Sequence, residues 1–379
     1  MVIGAIKFTD KYFGSVICRL LALFKSGKTP NLETPKRILA MQLWGIGETI
    51  LTLPALDALS KSYPNAEITL LATKRNQDVY HNKGFKIITL NLNPFSIINF
   101  TLRNYKKYDL VADMEEYLNV SSIISFFVGK YNVGFSHGAR AKLYSKKAVY
   151  NDRQHCAQAF LDLARALGIS CNSSALSKLN FDAEDETFVN DFLNKNNVKK
   201  NDFLIGIAPG AAESAKSRMW PLENYIKLIG ELIKKPNAKV ILIGSENEKI
   251  LSAEIIQKLN GKNSRIVDSI GKLSLKQLFC LMEKLNLFIG NDAGAMHMAA
   301  AQGAKTIGLF GPNLPVRFAP YGKGNIAVYK GKICEFSPCI NVHKGEVPDC
   351  LYSKNSEDYQ KCMKNIKVRD VLKEISWVI

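Results

Sequence analysis

The chain has 379 residues, 47% of them hydrophobic, which is enough to bury large cores and favours about two domains. Its 51 Lys and Arg against 34 Asp and Glu give a formal net charge of +17, which favours an anionic partner such as a membrane surface, a phosphorylated glycolipid or nucleic acid. No apolar run approaches the roughly 20 residues of a membrane span, and the N-terminus lacks the pattern of a secretory signal. The sequence thus argues against a membrane-spanning or secreted protein, and we expect a cytoplasmic one.

Residues 11–25 form the first periodic segment. Apolar side chains recur there at helical spacing, whereas Lys11, Arg19 and Lys25 lie off the apolar stripe. The pattern predicts an amphipathic helix that either lies in the plane of a membrane or docks on the first domain, and the basic character of the first 40 residues favours the membrane. The stripe consists of Phe13, Ile17, Leu20, Leu21 and Phe24.

From Arg37 onward, apolar β-branched runs alternate with amphipathic stretches, a pattern typical of parallel α/β layers. Strands are predicted at Arg37–Leu43, Ile68–Ala72, Lys86–Leu90, Leu110–Asp113 and Asn132–Phe135, and then at Phe203–Ala208, Lys239–Gly244, Ile266–Asp268, Leu287–Gly290 and Thr306–Phe310.

A domain boundary is predicted in the polar stretch between Asp182 and Asn201. This stretch follows a predicted helix, His155–Leu167, and itself holds one helix, Glu184–Lys195, and no strand. The predicted parts of the chain are a first domain, a linker and a second domain, over residues 1–183, 184–202 and 203–379.

The segment 291–312, NDAGAMHMAAAQGAKTIGLFGP, reads as a strand end, a polar turn, a helix and a second strand. Asn291 and Asp292 are positioned to cap the helix, and the positive end of a helix attracts phosphate or another anion. The alternative is a buried βαβ unit with ordinary caps.

Three further segments precede the segment 291–312 in the chain: RILAMQLWGIGETILTLPALDALSKSYPNAEITLL (37–71), PGAAESAKSRMWPLENY (209–225) and LIGSENE (242–248). Together with the segment 291–312, and in this order, they resemble glycosyltransferase family 9, the bacterial heptosyltransferases that build the inner core of lipopolysaccharide. Four ordered matches are far more specific than one glycine motif. The resemblance implies an α/β protein of GT-B architecture, in which two Rossmann-like domains face a central cleft, with the acceptor on the first and the nucleotide sugar on the second.

The resemblance also assigns donor-binding residues in the second domain. Arg218 stands where the family has a phosphate-binding Lys, two residues before a Trp, and Lys216 is the displaced alternative. Glu248, with Glu246 as the alternative register, takes the place of an acid that contacts the ribose. The signature adds Asp292 for sugar hydroxyls, the backbone of Ala293 and Gly294 for the diphosphate, and His297, which is equally well interpreted as a packing residue.

In the first domain, Glu48 follows a strand and the glycines of Trp44–Gly47. The family usually carries Asp here as the base that deprotonates the acceptor, so the resemblance assigns Glu48 that role, whereas helix-dipole compensation is the alternative. Gly47 lets the backbone approach the acceptor. The basic segment 134–153 contains Arg140 and Lys142, which we expect to bind an anionic acceptor, unless the segment is only a solvated face.

Four cysteines crowd the C-terminal region at positions 334, 339, 350 and 362. Their spacing lacks the paired Cys-x2-Cys knuckles of typical zinc sites, so a structural role is favoured over a metal site.

The resemblance implies an inverting, metal-independent transfer of a heptose from a nucleotide diphosphate, ADP-heptose in this family, to the lipopolysaccharide inner core at the cytoplasmic face of the inner membrane. Because no Asp-x-Asp occurs in the sequence, a metal-bridged diphosphate site is disfavoured. No cofactor and no nucleic-acid partner are expected, and contact with the membrane is expected to be peripheral. The alternatives are a transferase or epimerase that uses another nucleotide sugar, and an inactive protein that binds anionic surfaces.

Overall fold

The computed structural model describes residues 9–25, 32, 34–211, 213–259 and 264–375. The chain divides into two compact units. The first comprises Met1–Ser173 and Val342–Gly345, and the second comprises Ser174–Asn341 and Glu346–Ile379. Residues 174–202, which the sequence interpretation divided between the first domain and a linker, therefore group with the second unit.

The first unit opens with a π-helical turn, Asp10–Gly14, that continues into α1 (Ser15–Leu23). Strands and helices then alternate: β1 (Arg37–Met41), α2 (Ile46–Ser62), β2 (Glu67–Ala72), β3 (Lys86–Thr89), α3 (Pro94–Arg103), β4 (Tyr108–Asp113), α4 (Asn119–Val128), β5 (Gly129–Phe135), β6 (Lys146–Ala148) and α5 (Cys156–Ala166).

The second unit repeats the alternation. Its elements are α6 (Ala183–Lys195), β7 (Phe203–Ala208), α7 (Leu222–Leu232), β8 (Ala238–Leu242), α8 (Lys249–Lys258), β9 (Ile266–Asp268), α9 (Leu275–Lys284), β10 (Leu287–Asn291), α10 (Gly294–Gln302), β11 (Lys305–Phe310), α11 (Pro315–Phe318), β12 (Ile326–Tyr329), α12 (Lys361–Lys364) and α13 (Val368–Ile375).

Each unit is built on one six-stranded parallel sheet. The strand orders are β3-β2-β1-β4-β5-β6 and β12-β11-β10-β7-β8-β9. Both orders place the fourth strand of the unit beside the first, so the direction of winding reverses between β1 and β4 and again between β7 and β10. Ligands of doubly wound sheets bind beyond the carboxyl ends of the strands at such a reversal. Two such Rossmann-like sheets in one chain confirm the predicted α/β class of the GT-B type.

All ten predicted strands are present, and the sheets contain two more at their edges. The additional strands are β6, which has three residues, and β12, which has four. Edge strands are often short and charged, so they lack the apolar runs from which the other strands were predicted. The predicted helix Glu184–Lys195 is α6, and its N-terminus carries a capping box formed by Asp182 and Asp185.

The N-terminal helix docks on the first unit through a face that the sequence interpretation did not single out. Gly14 and Cys18 are buried against α4, while Phe13, Leu20 and Phe24 are 66%, 55% and 81% exposed. Of the two alternatives, docking on the first domain is therefore observed, and contact with a membrane stays a prediction; most of the predicted apolar stripe is exposed. Among the described residues, no helix combines the length and the apolar character needed to cross a membrane.

Candidate active site

The acid predicted to act as a base lies in the first turn of α2, directly after β1. Glu48 is half-buried, and its carboxylate folds back over Gly45, where an added Cβ would collide with it. Only glycine leaves this space at the N-cap. The hydroxyl of Thr49 donates to the carbonyl of Gly45 at 2.7 Å and fixes the turn. Gly47, predicted to approach the acceptor, is buried in the same turn.

The end of β4 brings a second carboxyl group to the same reversal. Glu115 is 2% exposed and accepts the backbone N–H of Leu43, at the end of β1, at 2.5 Å. The pKa of Glu115 is raised from its ordinary 4.5 to about 8, chiefly because the carboxyl group is buried; the N–H of Leu43 opposes this rise, and the negative charge of Asp113 adds to it. Glu115 is therefore largely protonated at pH 7, and it is a poorer candidate for the base than Glu48.

Tyr117 completes this cluster and was not foreseen from the sequence. Burial raises the pKa of its phenol above the ordinary value, and the negative charges of Glu115 and Glu48 raise it further. The phenol thus keeps its proton near two carboxyl groups. Its only sequence signal was its position directly after the acidic pair Glu115 and Glu116.

Arg140, predicted to bind the acceptor, is buried and paired within the first unit. Its side chain is 1% exposed and forms an ion pair with Asp113 at 2.9 Å. Its Nε and Nη2 donate to the hydroxyl of Tyr144 at 3.0 and 2.6 Å, and its Nη1 donates to the carbonyl of Glu115 at 2.5 Å. We therefore correct its predicted role, since Arg140 stabilises the core of the first unit. Lys142, two residues later, is exposed, as an acceptor-binding cation must be.

In the second unit, Arg218 and Asp292 meet where the strand order reverses. The guanidinium of Arg218 lies 3.5 Å from the carboxylate of Asp292 and donates to its backbone carbonyl at 3.1 Å. Asn313, after β11, donates to the same carboxylate at 2.8 Å. Among the residues that the structure describes, the buried Nε of Arg218 has no hydrogen-bond partner. A buried N–H donor without a partner is costly, and a phosphate oxygen would satisfy it.

Asn291 was predicted to cap the helix after β10, and this prediction is wrong. Its carboxamide instead accepts the N–H of Trp220 and the hydroxyl of Tyr225, both at 3.0 Å. It donates to the carbonyls of Pro209 at 3.0 Å and Gly210 at 2.9 Å. Asn291 therefore joins the loop that carries Arg218 to the end of β10.

Asp292 does not cap the helix either. The N-cap of α10 is Ala293, in extended conformation, and no side chain forms a cap hydrogen bond there. Ala293 and Gly294 are half-exposed, so this N-terminus presents backbone N–H groups and the positive end of the helix dipole to a ligand. His297, one turn later, is 4% exposed.

Each of two predicted donor positions has two candidate residues, and the members of each pair differ in burial. The side chain of Arg218 is 14% exposed, whereas Lys216 is exposed to solvent. Glu248 lies over Gly210, where an added Cβ would collide with its carboxylate, and it accepts the N–H of Ser245 at 2.6 Å. Glu246 points to solvent and pairs with Lys249. Arg218 and Glu248 are thus the members of each pair that lie at the strand ends.

The four C-terminal cysteines lie close together in the structure, although their spacing in the sequence lacks the Cys-x2-Cys pairs of typical zinc sites. All four line one small pocket of the second unit. The backbone N–H of Gln360 donates to the sulfur of Cys350 at 3.3 Å. The pKa of Cys339 is raised to about 11 and that of Cys362 to about 12. Burial is the larger cause for both thiols, and the charge of neighbouring thiols is the second. Within the described residues, no group of three or more His, Cys, Asp or Glu is arranged to hold a metal ion.

A family model described as glycosyltransferase family 9 (heptosyltransferase) matches residues 100–344. The lipopolysaccharide core heptosyltransferase OpsX of Haemophilus influenzae is 24% identical over 305 residues, which cover 76% of this chain and 83% of that protein.

Two solved structures share the fold. The crystal structure of a family 9 glycosyltransferase from Veillonella parvula has a TM-score of 0.76 and 21% identity, and covers 93% of this chain and 99% of its own. The ADP-heptose lipopolysaccharide heptosyltransferase II of E. coli has a TM-score of 0.69 and 19% identity, with 90% and 98% coverage. Since the family model matches more than half of the sequence, the chain belongs to glycosyltransferase family 9, the heptosyltransferase family, and is a glycosyltransferase.

Proposed function

We propose that this glycosyltransferase moves a heptose from ADP-heptose to the inner core of lipopolysaccharide, with inversion at the anomeric carbon and without a metal ion. The observation that carries the proposal is the anion site of the second unit, where Arg218 lies beside the uncapped N-terminus of α10. The family match and the names of the relatives support heptose as the sugar and lipopolysaccharide as the acceptor.

The donor diphosphate binds at this anion site. The backbone N–H groups of Ala293 and Gly294 and the guanidinium of Arg218 offset the charge that grows on the diphosphate as its bond to the sugar breaks. Asp292 accepts hydrogen bonds from the sugar hydroxyls, and Glu248 accepts them from the ribose. No Asp-x-Asp occurs in the sequence, so these groups take over the role that a metal has in other transferases.

The acceptor binds on the first unit, where Glu48 is the general base. As the acceptor oxygen attacks the anomeric carbon, its proton moves to Glu48, and ADP leaves from the opposite face of the sugar with the electrons of the broken bond. Because attack and departure occur on opposite faces, the product has the inverted configuration. Tyr117, whose pKa is raised by burial and by the charges of Glu115 and Glu48, stays protonated throughout.

The acceptor is an anionic glycolipid, and Lys142 together with the exposed Lys146 and Lys147 attracts it. The enzyme acts at the cytoplasmic face of the inner membrane, with peripheral contact to the bilayer and no nucleic-acid partner.

The test is a transfer assay with radiolabelled ADP-heptose and lipopolysaccharide from a strain that lacks inner-core heptose. We expect label in the lipid fraction, an anomeric configuration opposite to that of the donor by NMR, and undiminished turnover after treatment with a chelator. GDP-linked and UDP-linked sugars serve as competing donors. Preferred use of another donor would replace the heptose assignment, and conversion of the donor without transfer would identify an epimerase.

A further inference from the structure

Three neighbouring helices of the first unit expose apolar side chains in a pattern that core packing does not explain. At the end of α1, Leu23 and the following Phe24 are 78% and 81% exposed. On α3, Phe95 and Leu102 are 82% and 71% exposed. We name this set the apolar face, and it comprises Phe13, Val16, Ile17, Leu20, Leu23, Phe24, Phe95, Ile98 and Leu102, together with the half-buried Ile123, Phe126 and Phe127 on α4.

The helix α4 lies between the other two and holds them in place. The carboxylate of Asp10 accepts the backbone N–H groups of Asn119 and Val120 at 2.8 and 2.7 Å, in the first turn of α4. Gly14 approaches so closely that an added Cβ would lie 2.8 Å from the Cβ of Asn119. The thiol of Cys18 lies 3.4 Å from the hydroxyl of Ser122. The docked side of α1 is thus small and polar, and its large apolar residues point away from the contact.

On the other side of α4, the helix α3 uses a different part of its surface for packing. Phe100, which is 8% exposed, joins a core cluster with Ile124 and Val128, and Ile97 packs against the same cluster. Phe95, Ile98 and Leu102 lie outside that cluster and are exposed. Both flanking helices therefore pack on the first unit with one face and expose large apolar side chains on another.

The charged side chains carried by the three helices are all cationic. The sequences of α1, α3 and α4 contain no Asp or Glu. Exposed cations border the face at Lys11, Arg19, Arg103 and Lys107. The nearest acid on the N-terminal segment, Asp10, is engaged with the backbone of α4. Aromatic and aliphatic residues with a cationic border are typical of helices that lie in the interface of an anionic membrane.

We propose that the apolar face inserts into the headgroup region of an anionic bilayer and holds the first unit at the membrane through α1, α3 and α4 together. An exposed apolar surface on several helices is unusual for a monomer and marks an interaction site. The positive border favours anionic lipid over a neutral or cationic partner. This surface rests on the proposed peripheral contact with the membrane, and it adds residues of α3 and α4 to those of the N-terminal helix.

The experiment measures flotation of the full-length protein with vesicles of phosphatidylethanolamine and phosphatidylglycerol, and with phosphatidylcholine vesicles for comparison. The variants are Phe95→Ser/Leu102→Ser on α3 and Leu20→Ser/Phe24→Ser on α1. The matched control is Ile250→Ser, because Ile250 is 78% exposed on α8 of the second unit. Circular dichroism and the unfolding midpoint establish that each variant folds.

We expect the parent protein to bind the anionic vesicles, and each double variant to bind roughly tenfold or more weakly, while the control binds like the parent. Weaker vesicle binding by the α3 variant is the decisive result, because an anchor formed by the N-terminal helix alone would leave the binding of that variant unchanged. Binding of the α3 variant at the parent level, or equal binding to both vesicle types, would overturn the proposal. So would a parent dimer in light scattering that both variants abolish, since the face would then join two copies.

This test does not depend on catalysis. Transfer to an acceptor dispersed in detergent measures the proposed function without a bilayer. A protein that transfers in detergent but does not bind vesicles contradicts the docking surface alone, and one that binds vesicles without transferring contradicts the proposed function alone.

Discussion

The guanidinium of Arg218 and the carboxylate of Asp292 lie 3.5 Å apart, on loops that follow two adjacent strands, β7 and β10. The two residues are 74 positions apart in the sequence and are brought together by the reversal of the strand order. The pair neutralises a cation that would otherwise be partly buried alone, and among the described residues the buried Nε of Arg218 has no hydrogen-bond partner.

Removal of the Arg218 side chain should therefore weaken donor binding. Arg218→Ala takes away a charge-assisted contact and leaves Asp292 without its counter-charge, so we expect a loss of roughly 1.5 to 3 kcal/mol in donor affinity, measured by calorimetry with ADP or ADP-heptose. Lys216→Ala is the matched control because Lys216 is exposed on the same loop. A harmful Lys216→Ala together with a silent Arg218→Ala would show that the displaced register is the correct one.

The contact of Asp10 with α4 should contribute to the stability of the first unit. Its carboxylate acts as a cap for the N–H groups of Asn119 and Val120, and loss of such a cap typically costs about 0.5 to 2 kcal/mol. We expect Asp10→Ala to lower the unfolding midpoint in a thermal or urea scan. Asp191→Ala, at an exposed position of α6, is the control and should have little effect. Equal midpoints for the two variants would mean that the N-terminal segment contributes nothing to the stability of α4.

Stability should depend on pH through Glu115. Because its pKa rises from 4.5 in an ordinary environment to about 8 in the folded state, the folded protein holds a proton that the unfolded chain releases. The resulting stabilisation is complete below about pH 4.5 and is lost as pH rises through about 8, at up to about 1.4 kcal/mol per pH unit.

The variant Glu115→Gln cannot ionise, and its amide oxygen can still accept the N–H of Leu43. Unfolding midpoints recorded from about pH 5 to about pH 9 should therefore fall more steeply for the parent than for this variant. Glu67→Gln, which changes a carboxylate that is 60% exposed, should follow the parent curve. Parallel curves for the parent and Glu115→Gln would contradict the raised pKa.

The sequence predicted those features that depend on neighbours along the chain. The ten strands, the helix at 183–195 and the glycine turn before Glu48 all follow from patterns of a few residues. Features set by distant contacts were interpreted wrongly. Asn291 resembled a helix cap but bonds to Pro209 and Gly210, which lie more than 80 positions earlier. Arg140 belonged to a basic run, and its burial became apparent only once Asp113 was placed beside it.

The same distinction applies to the candidate site. Arg218 and Glu248 were assigned by resemblance, and each had an alternative two residues away that sequence alone could not reject. Burial separates the members of each pair, since Lys216 and Glu246 are exposed. Tyr117 and Glu115 were missed as a unit because their raised pKa values arise from three-dimensional surroundings.

The central chemical prediction concerns Glu48. An inverting transfer needs a base that takes the acceptor proton as the hydroxyl oxygen attacks, and Glu48 is half-buried in the first turn of α2, at the end of β1. Glu48→Gln keeps the shape of the side chain and abolishes its basicity. Since removal of a general base typically costs ~10² to 10⁴ in rate, turnover should fall by that factor.

Donor binding provides the readout that separates this role from a structural one. The proposed donor residues lie in the second unit, so the donor dissociation constant of Glu48→Gln should stay close to that of the parent while kcat falls. Glu48→Asp should retain part of the activity because it keeps a carboxylate on a shorter arm. If Glu48→Gln turns over at the parent rate with a verified donor and acceptor, the base lies elsewhere. Glu116, also after β4, then becomes the next carboxylate to change, since Asp113 is paired with Arg140 and Glu115 is protonated at neutral pH.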